Sequence, residues 1–314
     1  VGLYSLRRLL ASVLTGVIAS MLVFLLVRAV PGDVVAQMLG QTSDESAARS
    51  LRAFFGLDQP LWQQYLRWIS QALQGDLGQS WLGGQAVGEK VGQAFLVTAE
   101  IAIFTLLVAV AVGLPLGMLS GIYDGRWGDL LIQGFNLLGL AAPVFWVGLM
   151  LLVFISATFG WSPPLIYSGP VDSLRDNLEM LALPVLSLGL LQAAACSQFV
   201  RQSVVSAFQQ DYVRTALAKG VPVRSVFFKH ILRNISITLI TFMGLIFIQI
   251  LGGVVIVESL FAIPGLGRLL LSAIEGRDYP VLQGALLVIM LCALVVNLVI
   301  DLLYRVIDPR VRLS

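Results

Sequence analysis

Residues 209–234 read QQDYVRTALAKGVPVRSVFFKHILRN, a basic and helix-prone stretch. The flanking runs 180–200 and 234–257 carry no charge at all, and each exceeds the ~18 residues that qualify a segment to cross a bilayer. A charged loop between two such runs reads as an element that meets a partner in the cytosol. The competing reading is that the six basic residues from Arg201 to Arg233 only fix topology and touch lipid headgroups.

Working outward, the 314 residues are 58% hydrophobic and 12% charged, with a mean hydropathy of +0.89. Soluble domains run at about 45–50% apolar and about 25% charged, so the composition specifies an all-α integral membrane protein. Uncharged runs at Leu9 to Val27, Ile101 to Tyr123, Leu130 onward, Met180 to Val200, Asn234 to Val257 and Tyr279 to Ile300 predict six transmembrane helices. The third run stays uncharged to Val171, too long for one helix at ~1.5 Å per residue. We end it at Gly160 to Pro164, GWSPP, where two prolines remove donors and bias their predecessors away from helix.

Orientation follows from the cations. With a cytosolic N-terminus, the inner segments hold 12 of the 20 Lys and Arg residues, and the outer segments hold 8 against 13 acidic residues. The positive-inside rule then puts both termini in the cytosol. The net charge of +2 is a sum over two opposed faces and implies no nucleic acid. Arg7 and Arg8 precede an apolar run longer than a signal peptide's ~7–15 residues, and PGDVVAQ lacks a small-x-small cleavage site, so the first run reads as a retained span.

The segment 31–93 is the longest polar region. Thr42 with Glu45 predicts a capping box, a helix running to Phe55, and a stop at Gly56. A second helix begins near Pro60, in a first-turn position that proline tolerates, and runs to Gly75. Trp62, Tyr65, Trp68 and Trp81 are side chains of the kind that settle at headgroup level, so these short outer helices are expected to be interfacial. They either tether the first two spans or form a landing surface.

Gly113, Gly117 and Gly121 repeat every four residues and predict a close helix–helix approach inside the bundle. Pro115, Pro143 and Pro184 are expected to kink their spans. Asp211 is expected to cap a helix starting at Tyr212, with Gly220 and Pro222 stopping it. Between spans five and six, residues 257–281 alternate apolar and turn residues, which suits a re-entrant or interfacial segment. Asn136, Gln192, Gln198, Gln249 and Asn297 are the polar candidates for a pore lining.

Several chemistries lack their residues. The chain has no G-x-x-x-x-G-K-[ST] phosphate loop, its single histidine excludes a HExxH site, and Cys196 and Cys292 stand 96 residues apart, reading as small buried hydrophobes. No nucleophile and base lie within reach at membrane depth, so the chain is not expected to be an enzyme. Glu100, Glu258 and Asp301 are the candidates for an ion-coupled carrier, but all three are expected near span ends within reach of water.

The DYVRTA.AKG and KH.LRN patterns of the basic stretch resemble the EAA loop of ABC importer permeases in the dipeptide, oligopeptide and nickel subgroup, with Arg214, Thr215, Ala216 and Gly220 at the pattern's positions. PGD at 31–33, FGLDQPLWQQYLRW at 55–68, GDLGQS at 75–80, the E..F..PG.G and RDYP elements of 258–280, and DLLYRVIDPRVR at 301–312 extend the resemblance almost end to end. It implies the type I ABC importer permease fold, with a first span at 1–30, an outer segment at 31–93, a five-helix core at 94–308 including a cytosolic loop at 206–233, and a tail at 309–314. It also implies a coupling helix contacting the ATPase through Asp211, Tyr212, Arg214, Thr215, Ala216, Lys219 and Gly220, and an outer signature of Glu258, Phe261, Pro264, Gly265, Gly267, Arg277, Asp278, Tyr279 and Pro280. The implied partners are a second homologous permease, two cytosolic ATPases that bind the ATP and magnesium, an extracytoplasmic substrate-binding protein and membrane lipid, all at a bacterial inner membrane. This chain then holds no cofactor and no metal of its own. Peptides are the expected cargo, with nickel chelates or glutathione as alternatives.

Overall fold

A computed structural model describes residues 2–29, 35, 39, 45–164 and 166–307. The PGD motif, Thr42 of the expected capping box and the tail beyond 307 lie outside the described residues. Among the described residues, twelve named α-helices run in order: α1 (Gly2–Ala29), α2 (Glu45–Phe54), α3 (Leu61–Leu73), α4 (Val87–Ile122), α5 (Trp127–Ala141), α6 (Val144–Phe159), α7 (Leu174–Phe208), α8 (Asp211–Ala218), α9 (Val223–Val226), α10 (Leu232–Leu260), α11 (Leu266–Gly276) and α12 (Tyr279–Ile307). A π-turn, Phe227–Ile231, joins α9 to α10.

Five of these helices, α1, α4, α7, α10 and α12, are long and apolar enough to cross a membrane. The third expected span is not one straight helix. It breaks into α5 and α6, bent by 108°, because Pro143 has no amide hydrogen to donate and forces its predecessor out of helical geometry. Ala142 (ψ 132°) and Pro143 (ψ 137°) are both extended. Counting the bent pair as one gives the sixth span. As expected, α6 ends at the GWSPP sequence, with Gly160 left-handed at φ 62°.

The chain divides into two units, Val1–Leu96 with Gly265–Val295, and Val97–Pro264 with Val296–Ser314. In the first, Val27, Val87, Val91 and Ala94 bury against Leu266, Ala273, Tyr279, Val281, Leu282 and Ala285. The expected stop at Gly56 is present: its amide reaches the Ala53 carbonyl and that of Leu57 reaches Arg52, closing α2. Pro60 sits one position earlier than expected, as the residue preceding α3. Tyr65 shares a hydrogen bond of 2.9 Å with Ser20 of α1 and meets Phe24 edge-on. Trp81, half-buried, packs against Phe55 and Tyr279 with ring centroids 4.4 and 5.5 Å away.

In the second unit α7 is the central helix, flanked by α5, α6 and α10. The glycine stripe of α4 lies against it: a Cβ at Gly113 would fall 2.5 Å from the Ala193 carbonyl, one at Gly117 2.5 Å from that of Ser197, and one at Gly121 2.7 Å from the Val204 side chain. Lipid gives no hydrophobic drive for helices to associate, so backbone approach of this kind supplies the van der Waals contact that holds them. Phe199 of α7 and Phe242 of α10 stack 3.8 Å apart. The helix α4 starts at Val87, fourteen residues before the expected span, which moves Glu100 from a helix end to its interior.

Candidate functional site

The basic segment folds as helix, turn and helix. Asp211 is the first residue of α8 and not its cap: Gln210 precedes the helix in extended geometry with no side-chain cap bond. The carboxylate of Asp211 instead stands 3.9 Å from Arg214 in solvent. At the other end, the Gly220 amide bonds the Leu217 carbonyl and the Val221 amide bonds Ala216. That pairing needs a left-handed residue, which Gly220 supplies at φ 78°.

The side chain that anchors α8 is Val213, its one buried residue. Tyr212, Arg214, Thr215, Lys219 and Gly220 are exposed and Ala216 is half-buried, so the proposed contact residues share the outward side. Tyr212 accepts a hydrogen bond of 3.3 Å from Asn234 at the start of α10. Through that bond and the link at 209–210, α8 is tied to both α7 and α10.

Two turns above the end of α7 lies a cluster that sequence reasoning passed over. Arg201 donates from Nε to Asp129 Oδ1 at 2.7 Å and from Nη2 to Asp129 Oδ2 at 2.9 Å. The same Nη2 reaches Asp124. Ser120, the Gly125 amide and Gln133 also donate to Asp129, whose side chain is fully buried. Both carboxylate oxygens are thereby saturated. The local part was legible, because an acid in the first turn of a helix reaching back to an upstream amide is half of a capping box. Its partner lies 72 residues away and was counted only as a topology charge.

The outer signature divides between the two units. In the second, Glu258 lies at the end of α10 with no exposed surface and accepts 2.5 Å from the Thr98 hydroxyl. It is therefore out of reach of water, contrary to the expectation. Glu100, half-buried within α4, accepts from Tyr167 at 3.2 Å and Asn177 at 3.3 Å. Burial and the Glu100 charge push the Tyr167 phenol up to about 12. Phe261 follows α10 and faces Gly148 of α6, and Pro264 is exposed.

In the first unit, Gly265 and Gly267 are buried at the start of α11. The expected irregular loop is thus largely an 11-residue helix, because LGRLLLSAIEG places its apolar residues at helical spacing. Arg277 is left-handed at φ 53°, and the Asp278 amide closes the helix on Ala273. Asp278 is buried and accepts from the Ser80 hydroxyl and from the Trp81 amide at 3.1 Å. Tyr279 and Pro280 open α12. The motifs at 75–80 and 277–280 are therefore one structural junction.

Replacing Asp278 with alanine strands the Ser80 hydroxyl and the Trp81 amide, at roughly 1–3 kcal/mol each. The variant is expected to lose several degrees of thermal stability in detergent, and Asp278→Asn less, because its amide oxygen still accepts.

The polar residues of the spans are scattered. Asn136 of α5 is buried and donates to Gln198 of α7 at 3.4 Å, Gln192 is half-buried, and Gln249 and Asn297 are exposed.

Comparison with known proteins gives three results. The family described as "Binding-protein-dependent transport system inner membrane component" matches residues 113–313, and its N-terminal companion matches residues 3–110. The "Glutathione transport system permease protein GsiC" of Escherichia coli K12 is 38% identical over 309 residues, covering 98% of each chain, and those of Shigella dysenteriae serotype 1 and Salmonella paratyphi A are equally similar. A solved structure titled for inward-facing conformations of the MetNI methionine ABC transporter is 15% identical. It has a TM-score of 0.53 and aligns over 70% of this chain and 96% of that one, which shows a shared fold.

Proposed function

Because the chain belongs to the binding-protein-dependent transport system inner membrane component family of ABC importer permeases, we propose that it forms half of an ATP-driven import pathway for glutathione. The observation that carries the substrate is the 38% identity over 98% of the chain to permeases named for glutathione. Dipeptides and oligopeptides were the expectation from sequence, and glutathione, itself a tripeptide, is the narrower form of it.

The pore lies between this subunit and a second, related permease. Two ATPases in the cytosol bind ATP and magnesium, and a soluble protein delivers the cargo from outside. Both chain termini face the cytosol. The permease itself catalyses no reaction. ATP binding closes the ATPases on α8, and its displacement switches the side on which the pore opens, a rocking of packed helices between two states. Support for α8 as the contact comes from its geometry, with Tyr212, Arg214, Thr215 and Lys219 outward and Val213 alone buried.

Two measurements test this reading. Vesicles containing the full importer, its binding protein and ATP should take up labelled glutathione, and unlabelled glutathione should compete better than a dipeptide or a nickel chelate. Uptake without the ATPases would instead favour an ion-coupled carrier. Arg214→Glu, on a side chain 70% exposed, should leave the subunit inserted yet reduce ATPase co-purification and uptake by about tenfold or more, as expected for reversing a charge at an interface. Normal assembly and uptake in that variant would remove α8 from the contact.

A further inference from the structure

The Arg201–Asp129 cluster is more heavily bonded than a helix cap requires. An acid at this point of α5 needs one upstream amide to complete a cap, and the Gly125 amide already serves. Asp129 nevertheless takes four further donor contacts: two from a guanidinium, one from Ser120 and one from Gln133. Paired, planar bonds from an arginine fork to a carboxylate fix orientation as well as distance. The bonds join three pieces of chain: the end of α4 through Ser120, the turn and first residues of α5 through Asp124, Gly125 and Gln133, and α7 through Arg201.

Arg201 stands seven residues before the end of α7, and α8 begins three residues after that end. A displacement of α8 therefore enters α7 two turns from the fork. Farther from the fork, the contacts between α5 and α7 include a Gly139–Ala194 approach and a 3.4 Å amide bond from Asn136 to Gln198. Neither of these fixes orientation as an ionic fork does.

We propose that Arg201 and Asp129 are positioning residues that lock α5 to α7, so that a push on α8 moves the two helices as one body. The proposal rests on the reading of α8 as the element the ATPases displace. The contribution of the fork is to stop α7 from sliding past α5 when load arrives.

The test uses the assembled importer in lipid nanodiscs, with Cys196 and Cys292 replaced by alanine and spin labels at Leu131→Cys on α5 and Gln202→Cys on α7, both exposed positions. With the fork intact, the label separation should be the same in the nucleotide-free and the ATP-vanadate-trapped states. A shift of more than about 2 Å, the scale of a helix displacement, overturns the proposal. In the double variant Asp129→Leu with Arg201→Met, the apolar pair fills the site without stranding a charge, as buried ion pairs tolerate. That importer should hydrolyse ATP but transport about tenfold less glutathione per ATP, with a label separation that now differs between the two states. Wild-type transport per ATP in the double variant also overturns the proposal. If the variant does not assemble, the separation measured with the native fork decides. A cysteine at Thr215 that forms no cross-link to the ATPase would sink the α8 reading and, with it, the source of the push, whereas a changed α5–α7 separation beside an intact Thr215 cross-link overturns the lock by itself.

Discussion

A Gly117→Leu subunit is expected not to accumulate in folded form. The Cβ it adds would sit 2.5 Å from the Ser197 carbonyl oxygen and 2.6 Å from the Val200 Cβ, and both obstacles belong to the backbone or its first side-chain atom. Neither can rotate away, so α4 and α7 must separate. Extra methylenes in a packed core cost about 1–3 kcal/mol where the surroundings can adjust, and a leucine pressed against a main chain should exceed that range. Gly117→Ala should be milder but still destabilising. Gly128→Ala serves as the control, because nothing lies within 4 Å of its added carbon, and it should stay within about 0.5 kcal/mol of the parent. Size-exclusion profiles and melting temperatures in detergent separate the three. A monodisperse Gly117→Leu protein with parental stability would show that the two helices do not approach as described.

The second large effect is expected at Val213→Asp. Val213 is fully buried and is the one buried side chain of an eight-residue helix, whose other tie to the bundle is the exposed Asn234–Tyr212 hydrogen bond, so its seat carries most of what holds that helix in place. An aspartate there must lose its hydration, take up a proton, or leave. Each route costs several kcal/mol, roughly 3–5 when the lost apolar contacts are included. Leaving is the cheapest, because α8 can swing out without disturbing the spans. The subunit should insert and melt normally while uptake falls to background and the ATPases dissociate. Val213→Ala, which keeps the site apolar, should retain most of its uptake. Full transport with aspartate at 213 would mean that the seating of α8 is irrelevant to the import cycle.

Much of this was legible in the sequence because the strongest signals were local. Uncharged runs marked the spans, Gly56 and Gly220 marked helix ends, and the four-residue glycine repeat marked a close helix approach on one face of α4, though not which helix fills it. What escaped reading depended on residues distant in the chain or on small differences in local geometry. Pro143 announced a kink, but its size follows from Ala142 and Pro143 both being extended. Glu258 looked accessible because it ends an apolar run, whereas folding removes all its exposed surface. Asp211 was read as a cap although Gln210 holds that place, a one-residue ambiguity that composition cannot resolve. The tie between Asp278 and Ser80 joins residues 198 apart, and no periodicity reports a pairing at that range.

The wide turn at Phe227–Ile231 has a bearing on phase. A π-turn absorbs one residue more than an α-turn, and one residue in an α-helix is about 100° of rotation. Trimmed of that spare residue, the helix would continue unbroken toward Val223, but its upstream half would be screwed round by more than a quarter circle. Val213 and Tyr212 would then be asked to face two directions at once. The compass bearing of the basic elbow is thus written in the winding of its neighbour as well as in its own residues.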